Sequence, residues 1–145
     1  MKNVFKNRLT DQYHFIDKTS VNPNDIINLR RSVGWDIDSF ENWKSYINQS
    51  IAVIGVCNSD NLLVGVAFLV GNLRHAVVCD LTVNPEHQRK GVGESIIYKI
   101  MYTVNELGIL YIYTELAETN PFRNKMMQSG FEVTGGSLFL DTTQF

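Results

Sequence analysis

Two early segments carry apolar residues at helical spacing, and a helix-start signal precedes each. Asn22-Pro23 predicts an N-cap and a first helical position, followed by a helix that ends near Gly34. Asp38 stands three residues before Glu41, which resembles a capping box and predicts the start of a second helix. The first third of the chain is therefore expected to contain two amphipathic helices.

The middle of the chain changes to runs rich in Val, Ile and Phe. Residues 51–57 and 62–70 are separated by the turn-forming cluster Asn-Ser-Asp-Asn at 58–61, and a third run covers 75–83. These runs predict an antiparallel meander of three strands. A weaker run at 13–16 predicts a strand before the first helix.

Composition narrows the class of protein. The chain has 145 residues, 44% of them hydrophobic, which predicts one globular domain over 1–145. A net charge of -2 argues against a general nucleic-acid binder. The longest apolar run, 62–70, is far shorter than the roughly 20 residues of a membrane span, and the N-terminus lacks the apolar core of a signal peptide. We therefore expect a cytoplasmic protein that does not enter a membrane.

After the run at 75–83 come a basic pair and two glycines, and then an apolar helical pattern. Gly91 and Gly93 therefore lie where a helix begins, where unpaired N–H groups and the helix dipole attract anions. Gln88, Arg89 and Lys90 add donors and two cations, which suits a pyrophosphate. A solvated basic turn, with glycines for packing alone, is the alternative.

The turn matches one phosphate-binding pattern and not two others. A dinucleotide fingerprint needs a third glycine, and a P-loop needs Gly-Lys-Ser/Thr at its end; both are absent. The pattern Val83-x-Pro85-x-x-Gln88-x-x-Gly91-x-Gly93, between a strand and a helix, resembles the central acyl-CoA motif of the GNAT superfamily of CoA-dependent N-acyltransferases.

The resemblance implies an α/β (α+β) fold. Its central sheet would be mixed and mostly antiparallel, with about seven strands and four helices, splayed between strands 4 and 5. The later elements would be a strand at 109–114, a helix at 121–129, and a hairpin of 131–134 and 137–141 joined by Gly135-Gly136.

The resemblance also implies the residues that bind acetyl-CoA. The backbone of Leu81, Thr82 and Val83 would pair with the pantetheine arm as an added strand does. Asn120 looks like the asparagine that often contacts pantetheine in the family. The pyrophosphate would be bound, mainly through main-chain N–H groups, by Gln88, Arg89, Lys90, Gly91, Val92, Gly93 and Glu94.

Glu94, Arg123 and Lys125 are charged residues whose roles the resemblance leaves open. Glu94 is tolerable beside an anion if its side chain points to solvent while its amide faces the ligand. Arg123 or Lys125 could meet the CoA 3′-phosphate, although exposed cations on a short helix are usually only solvated.

Asp80 is the candidate catalytic residue. A primary amine with a pKa of about 10.4 must lose a proton before it attacks an acyl group. The resemblance places an acid near this point of the fourth strand, and alternation puts Asp80 on the side of Thr82, opposite Leu81. Asp80 could be the base, an anchor for the amine, or a partner that holds a neighbouring strand.

The family's usual proton donor is missing. Met126 stands where the family carries the tyrosine that protonates the leaving thiolate, and a thioether cannot donate a proton. Water, direct transfer from the amine or another residue must then supply the proton. The possible substitutes are Tyr98, Tyr102, Tyr111 and Tyr113.

Metal and thiol chemistry have little support. The three histidines are scattered, and no Cys or His pair has ligand spacing, so no metal is expected. Cys57 and Cys79 lie in apolar runs, which favours burial. His75 precedes Cys79 by four residues, roughly 13 Å along a strand, too far for a proton relay.

The expected function is transfer of an acetyl group from acetyl-CoA to a primary amine of a small molecule by direct attack. An acyl-CoA-binding regulatory module without turnover and a protein or peptide N-acetyltransferase remain alternatives, and a homodimer is possible. The acceptor pocket would draw on Arg30, Trp35, Asp36, Asp38, Phe40, Trp43, Glu115 and Glu118, or these would form an ordinary helix face.

Overall fold

The computed structural model of the chain describes residues 4–114, 120–134 and 137–142. Two groups of predicted residues lie outside these ranges: the acceptor-pocket candidates Glu115 and Glu118, and the hairpin turn Gly135-Gly136.

Within the described residues, seven strands and four α-helices follow the predicted order. They are β1 (Tyr13–Ile16), α1 (Pro23–Ser32), α2 (Phe40–Gln49), β2 (Ala52–Asn58), β3 (Leu63–Gly71), β4 (His75–Val83), α3 (Val92–Leu107), β5 (Tyr111–Thr114), α4 (Arg123–Gln128), β6 (Glu132–Thr134) and β7 (Ser137–Asp141). A short 3₁₀ turn, Pro85–His87, joins β4 to the basic pair.

The strands form one mixed sheet in the order β1-β2-β3-β4-β5-β7-β6. Neighbouring strands are antiparallel except β4 and β5, which are parallel. The β4–β5 pairing joins His75–Val78 to Tyr111–Thr114, and β4 continues to Val83 beyond it. This confirms the predicted fold class and the splay between strands 4 and 5.

A bulge interrupts β4 at Asp80. Val66 pairs with Thr82, but Phe68 pairs with Cys79, so β4 has one residue more than β3 in this interval. Asp80 takes up the extra length with a φ of 57°, a left-handed conformation that is unusual for a residue other than glycine. Strict alternation would put neighbouring residues on opposite faces, and the bulge lets Cys79 and Asp80 line the same pocket.

The start of α1 confirms its predicted cap, and the start of α2 corrects one. Asn22 caps α1 by accepting a hydrogen bond from the N–H of Asn24 at 2.8 Å. The cap of α2 is Ser39, not Asp38, because the Ser39 hydroxyl accepts from the N–H of Asn42. Asp38 lies one residue outside the cap, and its carboxylate accepts from the N–H of Ser39.

Helices cover both faces of the sheet. The long helix α3 packs on one face through an apolar stripe that includes Ile96, Ile100 and Val104, and Met126 of α4 joins the same core. Helices α1 and α2 cover the other face over β2, β3 and part of β4. In the described ranges, no helix combines the length and the apolar character needed to cross a membrane.

Candidate active site

A cleft of about 390 Å³ opens where the end of β4 meets the start of α3 and the loop before α4. Its volume is in the range of small-molecule sites. It brings together six of the residues that the sequence predicts for CoA. The lining residues are Leu81, Val83, Gln88, Arg89, Gly93, Asn120, Pro121 and Phe122.

Gly91 starts α3 at this cleft in a left-handed conformation, with φ of 82°. The N–H groups of the first helical turn have no carbonyl partner within the helix, and the helix dipole makes them attractive to an anion. A Cβ on Gly91 would lie 2.7 Å from the Cβ of Arg8, so the N-terminal part of the chain packs directly on this turn.

Gly93 leaves room for an aromatic wall of the cleft. A Cβ at this position would lie 3.1 Å from the ring of Phe122 and 3.6 Å from Val83. The helical backbone at Gly93 does not require a positive φ, so glycine is needed here for close approach rather than for conformation.

Two predicted ligand residues use their side chains to shape the cleft. The Gln88 side-chain amide donates to the carbonyl oxygen of Val83 at 3.1 Å and ties the basic turn to the end of β4. The Asn120 side-chain oxygen, Oδ1, accepts from the N–H of Phe122 at 2.9 Å and fixes the loop before α4. Both side chains line the cleft while making these bonds.

Three other predicted residues do not present their side chains to the cleft in the described structure. Thr82 is buried, and its hydroxyl donates to the carbonyl oxygen of Asp80 at 3.0 Å. Val92 is buried in the core beneath α3. Lys90 is exposed and is not among the described lining residues. For Thr82 and Val92, only the backbone is available to a ligand.

The side chain of Glu94 does not point to solvent, which was the condition under which the sequence makes it tolerable beside an anion. It is only 7% exposed, and its carboxylate pairs with Arg8 at 2.5 Å and with Lys125. Burial alone would raise the pKa of Glu94, but the bonds from Lys125, Arg8 and the amide of Lys6 lower it below its ordinary value. Lys125, a candidate for the 3′-phosphate, is thus engaged by Glu94.

A second pocket, of about 440 Å³, lies between α2 and the strands β3 and β4. It is mainly aromatic and aliphatic, with a few polar groups and one carboxylate, that of Asp80. We refer to it as the acceptor pocket. Its lining residues are Trp43, Tyr46, Gln49, Ser50, Phe68, Val70, Gly71, Cys79 and Asp80.

Arg30 lies behind Asp80 rather than in the acceptor pocket. Its guanidinium carbon lies over the rings of both Trp35 and Trp43, 5.3 and 5.2 Å from their centroids. It donates to Asp80 at 3.1 Å and to the Asp36 carboxylate at 2.8 Å. Asp80 is therefore ion-paired, and its side chain is still 41% exposed.

The other acceptor candidates do not line the pocket as the structure describes it. Asp38 accepts from the Tyr46 hydroxyl at 2.7 Å, and this bond raises the pKa of Tyr46 and lowers that of Asp38. Phe40 is exposed at the start of α2. Among the described candidates, Trp43 alone is a lining residue of the acceptor pocket.

Cys79 is a protonated thiol. Burial raises its pKa to about 12, assisted by the negative charge of Asp80 and by a hydrogen bond between them. The nucleophile in such chemistry is the thiolate, which is scarce at neutral pH when the pKa is this high. His75, the first residue of β4, stacks on Tyr111 and Tyr113, which supports the prediction that it does not serve Cys79 in the middle of the strand.

The candidate tyrosines lie away from the cleft. Tyr98 and Tyr102 stand one turn apart on α3, and Tyr111 and Tyr113 flank His75. None of the four is among the cleft-lining residues that the structure describes. Met126 is 1% exposed and packs in the core, so the family's tyrosine position is filled by a buried thioether.

Sequence reasoning missed Pro121 and Phe122, which line the cleft, and Arg8, which packs on Gly91 at the start of α3. The Asn120-Pro121 dipeptide indicates a turn, and this is the only local signal for the aromatic that follows it. Arg8 has no local signal, since it meets Glu94 across a separation of 86 positions in the chain.

The cleft suits the group that the sequence motif implies. It offers first-turn amides, a glycine where a side chain would fill the space, and Arg89 as a cation. These features fit the pyrophosphate and the adjoining arm of CoA. In the described part of the chain, no cluster of three or more His, Cys, Asp or Glu residues could hold a metal ion.

The splayed sheet and the glycine turn at the start of α3 define the acetyltransferase fold. A family model described as the acetyltransferase (GNAT) family matches residues 21–131, and the chain belongs to this family. No curated protein sequence matches the chain significantly.

Solved structures of acetyltransferases share the fold. A GNAT-family acetyltransferase from Streptococcus pneumoniae is 24% identical, with 83% of this chain and 88% of that one covered and a TM-score of 0.67. The ribosomal-protein-S18-alanine N-acetyltransferase of Escherichia coli is 13% identical, with 89% and 93% covered and a TM-score of 0.72. N-acetylglutamate synthase from Neisseria gonorrhoeae, complexed with coenzyme A and L-arginine, is 17% identical, with 89% and 33% covered and a TM-score of 0.68.

Proposed function

We propose that the protein is an acetyl-CoA-dependent N-acetyltransferase that acetylates a primary amine of a small molecule by direct attack. The observation that carries this proposal is the adjacency of the two sites on β4. Leu81 lines the cleft and Asp80, the preceding residue, lines the acceptor pocket. An acyl group held at the end of the cleft beside Leu81 would therefore lie next to an amine that is held in the pocket by Asp80.

Acetyl-CoA would supply an acetyl group activated as a thioester. The backbone of β4 beyond Val78, where its pairing with β5 ends, would bind the pantetheine arm as an added strand. First-turn amides of α3, with Arg89, would hold the pyrophosphate.

Asp80 would receive the amine. Its carboxylate is exposed enough to attract an ammonium group, and the bulge directs it into the acceptor pocket. The ammonium loses one proton before its nitrogen attacks. As the nitrogen bonds to the acetyl carbon, the bond from that carbon to sulfur breaks, and the nitrogen loses a second proton. Asp80 is the one carboxylate among the described lining residues of the pocket, and it carries the proposed role of base for the first proton or of amine anchor.

Direct attack fits this site better than a covalent acetyl-enzyme. Cys79 is the cysteine in the acceptor pocket, and its pKa of about 12 keeps it protonated. With Met126 buried, the leaving thiolate would take its proton from water or from the attacking amine. This route is tolerable because the thiol has a pKa of only about 8.5, so the thiolate can leave before it is protonated.

A small amine with an aromatic or apolar body fits the acceptor pocket best. The volume of about 440 Å³ suits a small molecule, and Trp43 and Phe68 provide apolar walls. A cytoplasmic location stays an expectation, and so does a homodimer.

A panel of primary amines tests the proposal, with release of CoA thiol as the measurement. Asp80→Asn should lower kcat at least about tenfold while the Kd for acetyl-CoA stays unchanged. Asp36→Asn is the matched control, since Asp36 shares the Arg30 partner but is not a described lining residue of the pocket.

Three outcomes separate the hypotheses. Turnover of a small amine that depends on Asp80 supports the proposal. Binding of CoA without turnover on any amine or peptide favours the regulatory module. Turnover restricted to peptide N-termini or lysines favours a protein acetyltransferase.

A further inference from the structure

Glu94 ties the first turn of α3 to two other segments. Its Oε2 accepts from the Arg8 side chain at 2.5 Å and from the N–H of Lys6 at 3.2 Å, and its Oε1 pairs with Lys125 of α4. We call residues 4–9 the N-terminal segment. One buried carboxylate therefore joins the N-terminal segment, α3 and α4.

A second layer of bonds reinforces this junction. The N–H of Arg8 donates to the Ser95 hydroxyl at 2.7 Å, and that hydroxyl donates to the carbonyl oxygen of Gly91 at 2.7 Å. The N-terminal segment is thus bonded to the turn that is expected to hold the pyrophosphate. It packs on that turn so closely that a Cβ on Gly91 would clash with Arg8.

The same segment supports the wall of the cleft. Phe5 is 2% exposed and meets Phe122 edge to face, with ring centroids 6.4 Å apart. Phe122 in turn packs on Gly93 and lines the cleft. The position of the N-terminal segment therefore affects the width of the cleft.

The junction places a negative charge, that of Glu94, close to the expected anion site. A carboxylate in the first turn of α3 repels an anion at the helix N-terminus. Arg8 and Lys125 outweigh that charge, since two cations and one anion leave a net charge of +1. Glu94 is thus unfavourable to an anion by itself and favourable through the cations that it keeps in place.

We propose that Glu94 is a positioning residue of the CoA cleft. It holds the N-terminal segment and α4 against α3 and keeps Arg8 and Lys125 beside the anion site. The inference rests on the proposed CoA-binding function and assigns a role to a residue that contacts the ligand, at most, through its backbone.

Glu94→Gln distinguishes a purely electrostatic role of Glu94 from a positioning role, because the two roles predict opposite changes in the affinity for CoA. If Glu94 is only a negative charge near an anion, its removal tightens binding of CoA. If Glu94 is a positioning residue, its removal weakens binding of CoA and acetyl-CoA by about tenfold, or 1.4 kcal/mol. Isothermal titration measures the Kd directly, without turnover.

Two further variants keep the test decisive. Glu94→Asp keeps the charge but is too short to bridge both cations, so it should also weaken binding, which a purely electrostatic role does not predict. Lys125→Met should weaken binding too, and the double variant Glu94→Gln/Lys125→Met should be no weaker than the weaker single variant, because both changes break the same junction.

Glu106→Gln is the matched control. It removes one negative charge from the same helix, about 18 Å along the axis from Glu94. Glu106 bonds to Tyr102, and its replacement should leave the Kd for CoA within twofold of the wild type.

The outcomes separate the inference from the function on which it rests. Wild-type binding with Glu94→Gln equal or tighter overturns the inference alone. If Glu94→Gln does not fold, unchanged binding by Glu94→Asp overturns it equally. No binding of CoA by the wild type overturns the proposed function, and the inference with it.

Discussion

The guanidinium of Arg30 lies 3.1 Å from the carboxylate of Asp80 and joins α1 to the bulge of β4. The contact is buried on the arginine side, where Arg30 is 7% exposed, and open to the acceptor pocket on the aspartate side. Arg30 therefore fixes the orientation of the one carboxylate that is proposed to meet the amine.

Arg30→Lys should destabilise the fold, because an ammonium group cannot bridge Asp36 and Asp80 and also stack on two indole rings as the planar guanidinium does. We expect the free energy of unfolding to fall by about 1–3 kcal/mol, measured with urea. Arg31→Lys, at the exposed neighbouring position, is the control and should change it by less than about 0.5 kcal/mol. Equal effects of the two variants would show that the bridge does not contribute.

Cys79 should remain unmodified during catalysis. With a pKa of about 12, its thiol is protonated at pH 7 to 8 and alkylates far more slowly than a free thiol of ordinary pKa, about 8.5. Mass spectrometry after incubation with acetyl-CoA should find no acetyl group on Cys79, and Cys79→Ala should keep most of the activity. A covalent acetyl-Cys79 that an amine then discharges would contradict direct attack.

Glu94 should make the free energy of unfolding decrease as the pH falls in the acid range. Its pKa is lower in the folded state than the ordinary value of 4.5, so its contribution is fully present above that value. The contribution is then lost as the pH falls through the lowered folded pKa. Urea unfolding between pH 6 and 3 should show a steeper loss of stability for the wild type than for Glu94→Gln. Parallel curves would mean that the ion pairs with Arg8 and Lys125 add no net stability.

Two glycines with positive φ allow the cost of backbone strain to be measured separately from the cost of a steric clash with Arg8. Gly34 has φ of 73° and open space around its Cβ position, whereas Gly91 has φ of 82° and Arg8 at 2.7 Å. Gly34→Ala should cost about 1 kcal/mol, and Gly91→Ala should cost at least about 1 kcal/mol more. The measurement is the free energy of unfolding. Equal losses for Gly34→Ala and Gly91→Ala would mean that the N-terminal segment moves aside from the added methyl group at little cost. A charged substitution at Gly91 would thus disturb the fold as well as the ligand.

Local patterns were sufficient for much of the fold. The strand at 75–83 has its predicted bounds, and Asn22 caps α1 as expected, because β-rich runs between turn residues and side-chain caps are decided by near neighbours. Ser39 rather than Asp38 caps α2, since two adjacent cap formers differ too little for sequence to choose between them.

Long-range contacts account for what sequence reasoning missed at the site. The sequence allows Glu94 beside an anion if its side chain lies in solvent, but the side chain pairs with Arg8 and Lys125, which come from distant segments that only the folded chain brings together. The bulge at Asp80 likewise has no glycine to mark it, because a non-glycine residue adopts the positive φ. Arg30 was predicted near the acceptor, but its place behind Asp80 depends on that bulge.

The central claim is that the turn before α3 and the first turn of α3 bind CoA, and Gly93 tests it with the least disturbance of the fold. Gly93→Asp and Gly93→Asn add side chains of equal size at a helical position beside Phe122, and an acid in the first turn favours the helix. The two variants therefore differ mainly in a negative charge placed in the cleft.

Isothermal titration with acetyl-CoA and CoA is the most direct measurement. The account predicts micromolar binding by the wild type, weaker binding by Gly93→Asn, and at least about tenfold weaker binding again by Gly93→Asp, a further loss of 1.4 kcal/mol or more. Absence of binding by the wild type, or equal binding by the Asp and Asn variants, would contradict it.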